Sequence, residues 1–384
     1  MKQDSIKTEY LKNWMKSGNK VVGYYCSNLP EQLIHAAGIL PYRMRGIENE
    51  DFLLSDAILS RFNCTFIRST LNLALKGKYD FLDGLLVANT CDHVRRMFDI
   101  FKLKVDRALA GDMKLMFLSM PHVFTTHGFN WYLEEIRLLL KIIGEYYSID
   151  VESQEYLTNL KQSIEIYKQN SALLQQLDKL RSSHPPKISG TRFFEILLEQ
   201  VNMRKEDSNQ FLTETIKEIE NKAEEITPRA RLLLIGSSID NSEFVSILEH
   251  NGGVVVADTT CLSLNSMEIP RKLENLKNEE SELNALLSEL VNETYLKCLC
   301  PRMMNAHDFR LGFIKDLIAK KKIDGVILQY IEFCDLHGCE NAIYRHELDT
   351  LGIPTLTIDR EYFLGDTGRL RTRVEAFLEK IERK

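Results

Sequence analysis

The chain is poor in residues that break or punctuate structure: 19 glycines and 9 prolines in 384 residues. That is too few for a collagenous, linker-like or low-complexity polymer. An excess of positive charge is also missing, since 49 Lys plus Arg against 55 Asp plus Glu leave a formal net charge of −6. No global basic field is present to grip nucleic acid or anionic lipid. No apolar run reaches the length of a membrane span, and the stretch Met1 to Lys20 is charged throughout, without the apolar centre of a signal peptide. These absences argue against polynucleotide and membrane partners and lead to the expectation of a cytoplasmic protein. With 44% apolar residues, the chain is long enough to bury more than one core.

Short apolar runs rich in β-branched residues recur at both ends of the chain, each followed by turn residues and a helical pattern. This is the rhythm of a parallel α/β sheet. In the first lobe the runs are Lys20 to Tyr25, Gly84 to Ala88 and Lys114 to Ser119. In the last third they are Arg231 to Ile235, Gly253 to Ala257, Asp324 to Tyr330 and Pro354 to Ile358. Between them the apolar residues fall at helical spacing, as in Leu157, Leu160, Ile164 and Tyr167. The expected organisation is an N-terminal α/β lobe over 1–128, a helical connector over 129–227 and a C-terminal α/β lobe over 228–384. The consecutive prolines Pro185 and Pro186 interrupt the connector, and Pro228 precedes the second lobe.

Against this background the eight cysteines stand out. In a reducing compartment they point to metal binding or catalysis rather than disulfides. Cys26, Cys91, Cys261 and Cys334 each lie just beyond one of the predicted strands. Ligands of open parallel sheets bind beyond the carboxyl ends of strands, so thiols from two facing lobes can converge on one cleft. Thiolates suit zinc or iron–sulfur clusters. A single free cysteine is as often a small buried hydrophobe, but several at strand ends together favour a site. Cys298 and Cys300 are too close in sequence for a zinc knuckle, and Cys334, His337 and Cys339 only partly match a metal hook, which puts zinc below an iron–sulfur site. Cys64 heads a predicted helix and suits either the core or a further ligand.

Other features have plainer readings. The loop Gly236-Ser237-Ser238 precedes a predicted helix and is placed to cradle a phosphate, but without a full phosphate-binding fingerprint it reads as ordinary capping. Arg369, Arg371 and Arg373 are spread around the last predicted helix and suit solvent, an interface or a phosphate. Glu31 after Pro30 reads as a helix-start carboxylate favoured by the helix dipole.

Five segments taken in order carry a family resemblance: Gly23 to Gly46 (GYYCSNLPEQLIHAAGILPYRMRG), the stretch from Phe62 to Asp99 with FNCTFIRS and DFLDGLLVANTCDHVRRMFD, PPKISG, the pair GSSID and GGVVVADTTC, and VILQYIEFCD followed by TGRLRTRVEAFLE. Together they resemble the smaller, beta-type subunit of the benzoyl-CoA reductase and 2-hydroxyacyl-CoA dehydratase family over nearly the whole chain. The resemblance implies two flavodoxin-like parallel-sheet lobes with a helical insert, and an iron-sulfur site, a 4Fe-4S cluster, in the cleft. It assigns the cluster to Cys26, Cys91 and Cys334, leaving one iron open. It implies a larger homologous subunit, an ATP-dependent iron–sulfur activator protein and an acyl-CoA substrate. One low-potential electron would convert the thioester to a ketyl radical anion, for dehydration or for ring reduction. Ser27, beside Cys26, and His93, in a segment closer to the reductase side, are the candidate catalytic side chains. A related branch, the homodimeric double-cubane reductases of small molecules, also resembles this chain at Cys64, Cys261, Cys298 and Cys300 and is the alternative. A third reading is a scaffold subunit without a cluster.

Overall fold

The structure, a computed structural model, describes residues 5–49, 51–105, 113–222, 225–270, 281–363, 365 and 367–383. All seven runs named above are strands. They form two parallel sheets: β1 (Val21–Tyr24), β2 (Leu40–Arg43), β3 (Gly84–Ala88) and β4 (Lys114–Leu118) in the first, β5 (Ala230–Gly236), β6 (Gly253–Asp258), β7 (Gly325–Ile331) and β8 (Thr355–Arg360) in the second. The orders are β2-β1-β3-β4 and β6-β5-β7-β8. In each, the first strand has the second on one side and the third on the other, so the order reverses between β1 and β3 and again between β5 and β7. The expectation of two flavodoxin-like parallel-sheet lobes is met.

β2 is the strand that the sequence did not reveal. Its run LPYR carries Pro41, whose missing N–H weakens any strand reading. It sits at the edge of its sheet, with Pro41 opposite Val22, which is where a strand proline is tolerated.

The helices between the sheets divide their packing between two cores. The long helix Gln154–Ser182 starts on the Ser153 cap, whose Oγ accepts from Tyr156 N at 3.1 Å. Its early residues Tyr156, Leu160 and Ile164 join the core beneath the first sheet, while Leu174 and Leu177 join the core of the second. Helix Thr126–Tyr147 packs on the first sheet and helix Gly190–Gln200 on the second. A crossing also runs the other way. Leu287, Leu290, Val291, Tyr295, Cys298 and Met303 follow β6 in sequence yet lie in the first core.

The two sheets meet through polar clasps. Tyr362 Oη donates to Asp240 Oδ2 at 2.8 Å and accepts from Gly46 N at 2.9 Å, and Tyr362 N donates to Thr65 Oγ1 at 2.8 Å. Arg45 donates to the Asp240 carbonyl.

Candidate functional site in the cleft between the sheets

The carboxyl ends of the strands bring the cysteines together. Cys26 follows β1 and Cys91 follows β3, the two strands that flank the order reversal of the first sheet. Cys334 follows β7, one of the two strands flanking the reversal of the second, and Cys261 follows β6. Such reversals open a crevice beyond the strand ends. Cys91 and Cys334 are the N-cap residues of helices Asp92–Ile100 and Asp335–Thr350, and Cys64 is that of helix Thr65–Leu75. Three thiols therefore sit where unpaired backbone N–H groups gather. N–H groups of Val94 and His93 favour a Cys91 thiolate, those of Ile67 and Phe66 a Cys64 thiolate, and that of His337 a Cys334 thiolate.

Burial nevertheless dominates. It pushes the Cys334 and Cys261 thiols up to about 12, the Cys26 and Cys91 thiols above their usual value, and the Cys64 and Cys300 thiols well above it. Mutual repulsion between would-be thiolates adds to this and maps which cysteines are neighbours. Cys64 senses Cys334 and Cys91. Cys26 senses Cys298, and Cys300 senses Cys298 and Cys261. Cys261 senses Cys26, and Cys334 senses Cys91 and Cys261. Cys64, Cys91 and Cys334 pack on one apolar cluster, and Cys26, Cys298 and Cys300 on another. The two groups are not separate, since Cys91 senses Cys26 and Cys334 senses Cys261, while Cys339 is exposed. Among the described residues no three His, Cys, Asp or Glu side chains stand close enough to hold a single metal ion.

Cys298 and Cys300 reach the cleft through a loop that is tied to the one after β4. Met304 N donates to the His122 carbonyl at 2.9 Å, and Asn305 and Phe124 exchange two bonds, at 2.8 and 3.1 Å. Arg302 Nη1 donates to the Pro121 carbonyl at 2.8 Å. Asn28 Oδ1 accepts from Cys298 Sγ at 3.4 Å and from Cys26 Sγ at 3.9 Å, while Asn28 N donates to Cys26 Sγ at 3.5 Å.

The two other sequence candidates also border the cleft. Ser27 Oγ accepts from Arg43 Nη1, and Ser27 lines a cavity of about 210 Å³ with Gln32, Tyr167, Lys168 and Thr294. His93 is buried, and its Nδ1 accepts from Cys64 N at 3.2 Å while Nε2 lies 3.7 Å from Asp335 Oδ2. The accepting Nδ1 places the ring proton on Nε2. Burial holds the ring below its usual pKa against the pull of Asp335. His93 thus links the starts of the Cys64, Cys91 and Cys334 helices.

Several polar residues of the site were not singled out from sequence. Arg43, at the end of β2, is 3% exposed. Its charge is felt by Cys261 and Cys26, and burial, which opposes that charge, is outweighed chiefly by Asp240. Arg302 is fully buried. An arginine placed directly after a Cys-x-Cys-Pro run was the available signal. Glu31 does more than start a helix: buried at 8% exposure, it accepts from Tyr24 Oη at 2.7 Å and from Tyr167 Oη at 3.2 Å. The Gly236-Ser237-Ser238 loop is knitted to β7, with Ser237 Oγ accepting from Ile331 N at 2.9 Å. At Gly236 (φ +142°) a Cβ would stand 1.7 Å from the Gln329 carbonyl oxygen. Arg369 and Arg373 line a cavity of about 360 Å³ with Arg360, Asp359 and Glu361.

The chain is similar to known proteins over nearly its whole length. The family described as 2-hydroxyglutaryl-CoA dehydratase, D-component, matches residues 26–381. The (R)-phenyllactyl-CoA dehydratase beta subunit of Clostridium sporogenes is 23% identical, over 98% of this chain and 96% of its own. The (R)-2-hydroxyglutaryl-CoA dehydratase subunit beta of Acidaminococcus fermentans is 24% identical, over 97% and 95%. A benzoyl-CoA reductase subunit from Thauera aromatica is 22% identical, over 94% and 91%.

Proposed function

From the premise that the chain belongs to the 2-hydroxyglutaryl-CoA dehydratase D-component family, we propose that it is the beta-type subunit of an oxygen-sensitive enzyme acting on acyl-CoA thioesters. In this reading Cys26, Cys91 and Cys334 hold a 4Fe-4S cluster. The observation that carries it is their common position beyond strands that flank the order reversals of both sheets. The donor set fits such a group. Its sulfurs are soft, two of its three thiols, Cys91 and Cys334, lie at helix starts, and the buried cations Arg43 and Arg302 offset the negative charge that a thiolate-held cluster brings. A cluster seats its thiolates on separate irons, so its ligands lie further apart than those of one ion.

When bound, the group supplies a low-potential electron to the thioester for dehydration or ring reduction. The chain's own residues form the surroundings. Ser27 and Arg43 border the Cys26 side, and His93, with its proton on Nε2, faces Asp335 on the Cys334 side. Apolar walls keep water from the reacting centre. A larger homologous subunit and an ATP-dependent activator protein complete the system, in the cytoplasm.

A second reading has its own support. Cys26, Cys298 and Cys300 pack on one apolar cluster and Cys64, Cys91 and Cys334 on another, more sulfur than one cubane requires. This favours a homodimeric double-cubane reductase of small molecules. Iron and acid-labile sulfide in the anoxically purified chain decide between the two. About four of each per chain supports the acyl-CoA enzyme, about eight irons supports the double cubane, and none after anoxic reconstitution overturns both.

A further inference from the structure

Three of the buried arginines, Arg68, Arg181 and Arg310, are paired with acid. Arg181 donates to Asp258 Oδ2 at 2.8 Å and bonds Asp178. Arg310 meets Glu340 Oε1 through both Nε and Nη2, at 2.8 and 2.7 Å. Arg302, none of it accessible to solvent, is held otherwise. One nitrogen, Nη1, donates to the Pro121 carbonyl at 2.8 Å, while Nε and Nη2 have no hydrogen-bond partner. No carboxylate among the described residues forms an ion pair with it. A guanidinium is costly to take out of water and, when buried, is normally found paired.

Beyond the Pro121 carbonyl, the titratable groups that Arg302 senses are chiefly thiols. Its charge is felt most by Cys298, then Cys26 and Cys300, with the Tyr132 phenol next. Two of its N–H-bearing nitrogens are thus free on the side of the molecule where thiols from β1 and from the 298–300 loop meet. The loop itself is held fixed. Arg310, anchored by Glu340, donates to the Met303 carbonyl at 2.8 Å, and Met304 N is bonded to the loop after β4.

We infer that Arg302 is a positioning residue: the buried counter-cation of the anionic, thiolate-held iron–sulfur group in this cleft, donating through Nε and Nη2 toward its sulfurs and favouring its reduced, more negative form. The inference rests on the cluster reading above. Hydrogen bonds and charge at the sulfurs are among the factors that set the potential of such groups. Arg302 touches neither substrate nor reacting atoms in this role.

The test uses the full chain, reconstituted anoxically with iron and sulfide, as wild type, Arg302→Met and Arg302→Lys. The expected result for loaded Arg302→Met is a ratio of reduced to oxidised cluster at fixed poise at least tenfold lower in an EPR-monitored titration, which corresponds to about 59 mV for one electron. Arg302→Lys should recover most of that loss. Before reconstitution, Arg302→Met should be no less stable to urea than the wild type, because an uncompensated buried charge has been removed. Loading with the wild-type potential in Arg302→Met would overturn the inference and leave the cluster reading standing. So would a clear loss of stability in that variant before reconstitution, which would make Arg302 a structural tie to Pro121. A wild-type chain that takes up neither iron nor sulfide would overturn both.

Discussion

Cys26 and Cys298 share one acceptor: both thiols reach the Oδ1 of Asn28, at 3.9 and 3.4 Å. One sulfur comes from the end of β1 and the other from a loop that follows the second sheet's β6. Asn28 is itself fixed, its Nδ2 donating to the Thr294 carbonyl at 3.1 Å and its carbonyl accepting from Tyr132 Oη at 3.2 Å. The site is thus a product of tertiary structure, and each part of it answers to a different perturbation.

Cys334 and Cys339 lie on one helix but in different surroundings, the first in the cleft and the second exposed. Cys334→Ser is expected to lose most of the iron retained by the wild type after anoxic reconstitution, while Cys339→Ser keeps it. Iron and sulfide analysis of the desalted proteins checks this. Equal retention by the two variants would remove Cys334 from the ligand set.

Phe333, immediately before Cys334, has φ +65°, a left-handed conformation that is costly for an aromatic residue. Its ring meets that of Phe62 edge to face at 5.7 Å. Comparing Phe333→Ala with Phe333→Gly removes the ring in both and isolates the backbone. The glycine variant is expected to be the more stable by about 1 kcal/mol, the reverse of the usual order. Urea denaturation measures the difference, and a more stable alanine variant would refute the strain.

Asp178 is half-buried beside Arg181 and Lys321. Burial raises its pKa, but the two cations outweigh it and hold the carboxyl below its usual range. With the folded pKa depressed, the unfolded chain binds the proton first. The stability that Asp178 supplies is therefore complete above its unfolded value, near pH 4 by the usual carboxylate range, and is lost as the pH falls toward the folded one. Asp178→Asn should cost about 3 kcal/mol at pH 7 and flatten the acid limb of a stability–pH curve. An unchanged acid limb would contradict this account.

Gly236→Ala places a methyl group 1.7 Å from the Gln329 carbonyl oxygen, in a backbone with φ +142°. The end of β5 must then separate from β7, where Gly236 pairs with Gln329. A loss of about 3 kcal/mol is expected, read as a lower urea midpoint. A variant as stable as the wild type would show that the close approach is not required.

Much of this architecture could be read from the chain because buried parallel strands leave uninterrupted apolar runs, and each of the seven that were named is a strand. β2 escaped because Pro41 interrupts the pattern at a sheet edge. Cys26, Cys91, Cys261 and Cys334 were legible from position alone, since the carboxyl end of a strand in this fold points into the crevice. The nearness of Cys298 and Cys300 to Cys26 was not. It depends on the bonds from Met304 to His122 and between Asn305 and Phe124, contacts between remote segments that no periodicity encodes. Arg43 and Arg302 escaped for a related reason: a lone arginine in sequence reads as surface, and only packing shows that it is buried. Glu31 was read as a helix-start carboxylate, and its tyrosine partner Tyr167 lies on a helix far along the chain.

The scatter of the thiols also orders events during synthesis. On a growing chain Cys26, Cys64 and Cys91 emerge with the first sheet, while Cys298 and Cys300 follow the first two strands of the second and Cys334 follows β7. A group that needs sulfur from both sheets therefore has no complete binding site on the ribosome. Loading becomes a post-translational event, gated by the pairing of β7 with β5, and a truncated chain lacking its last quarter would fold part of its cleft without being able to close it around a cofactor.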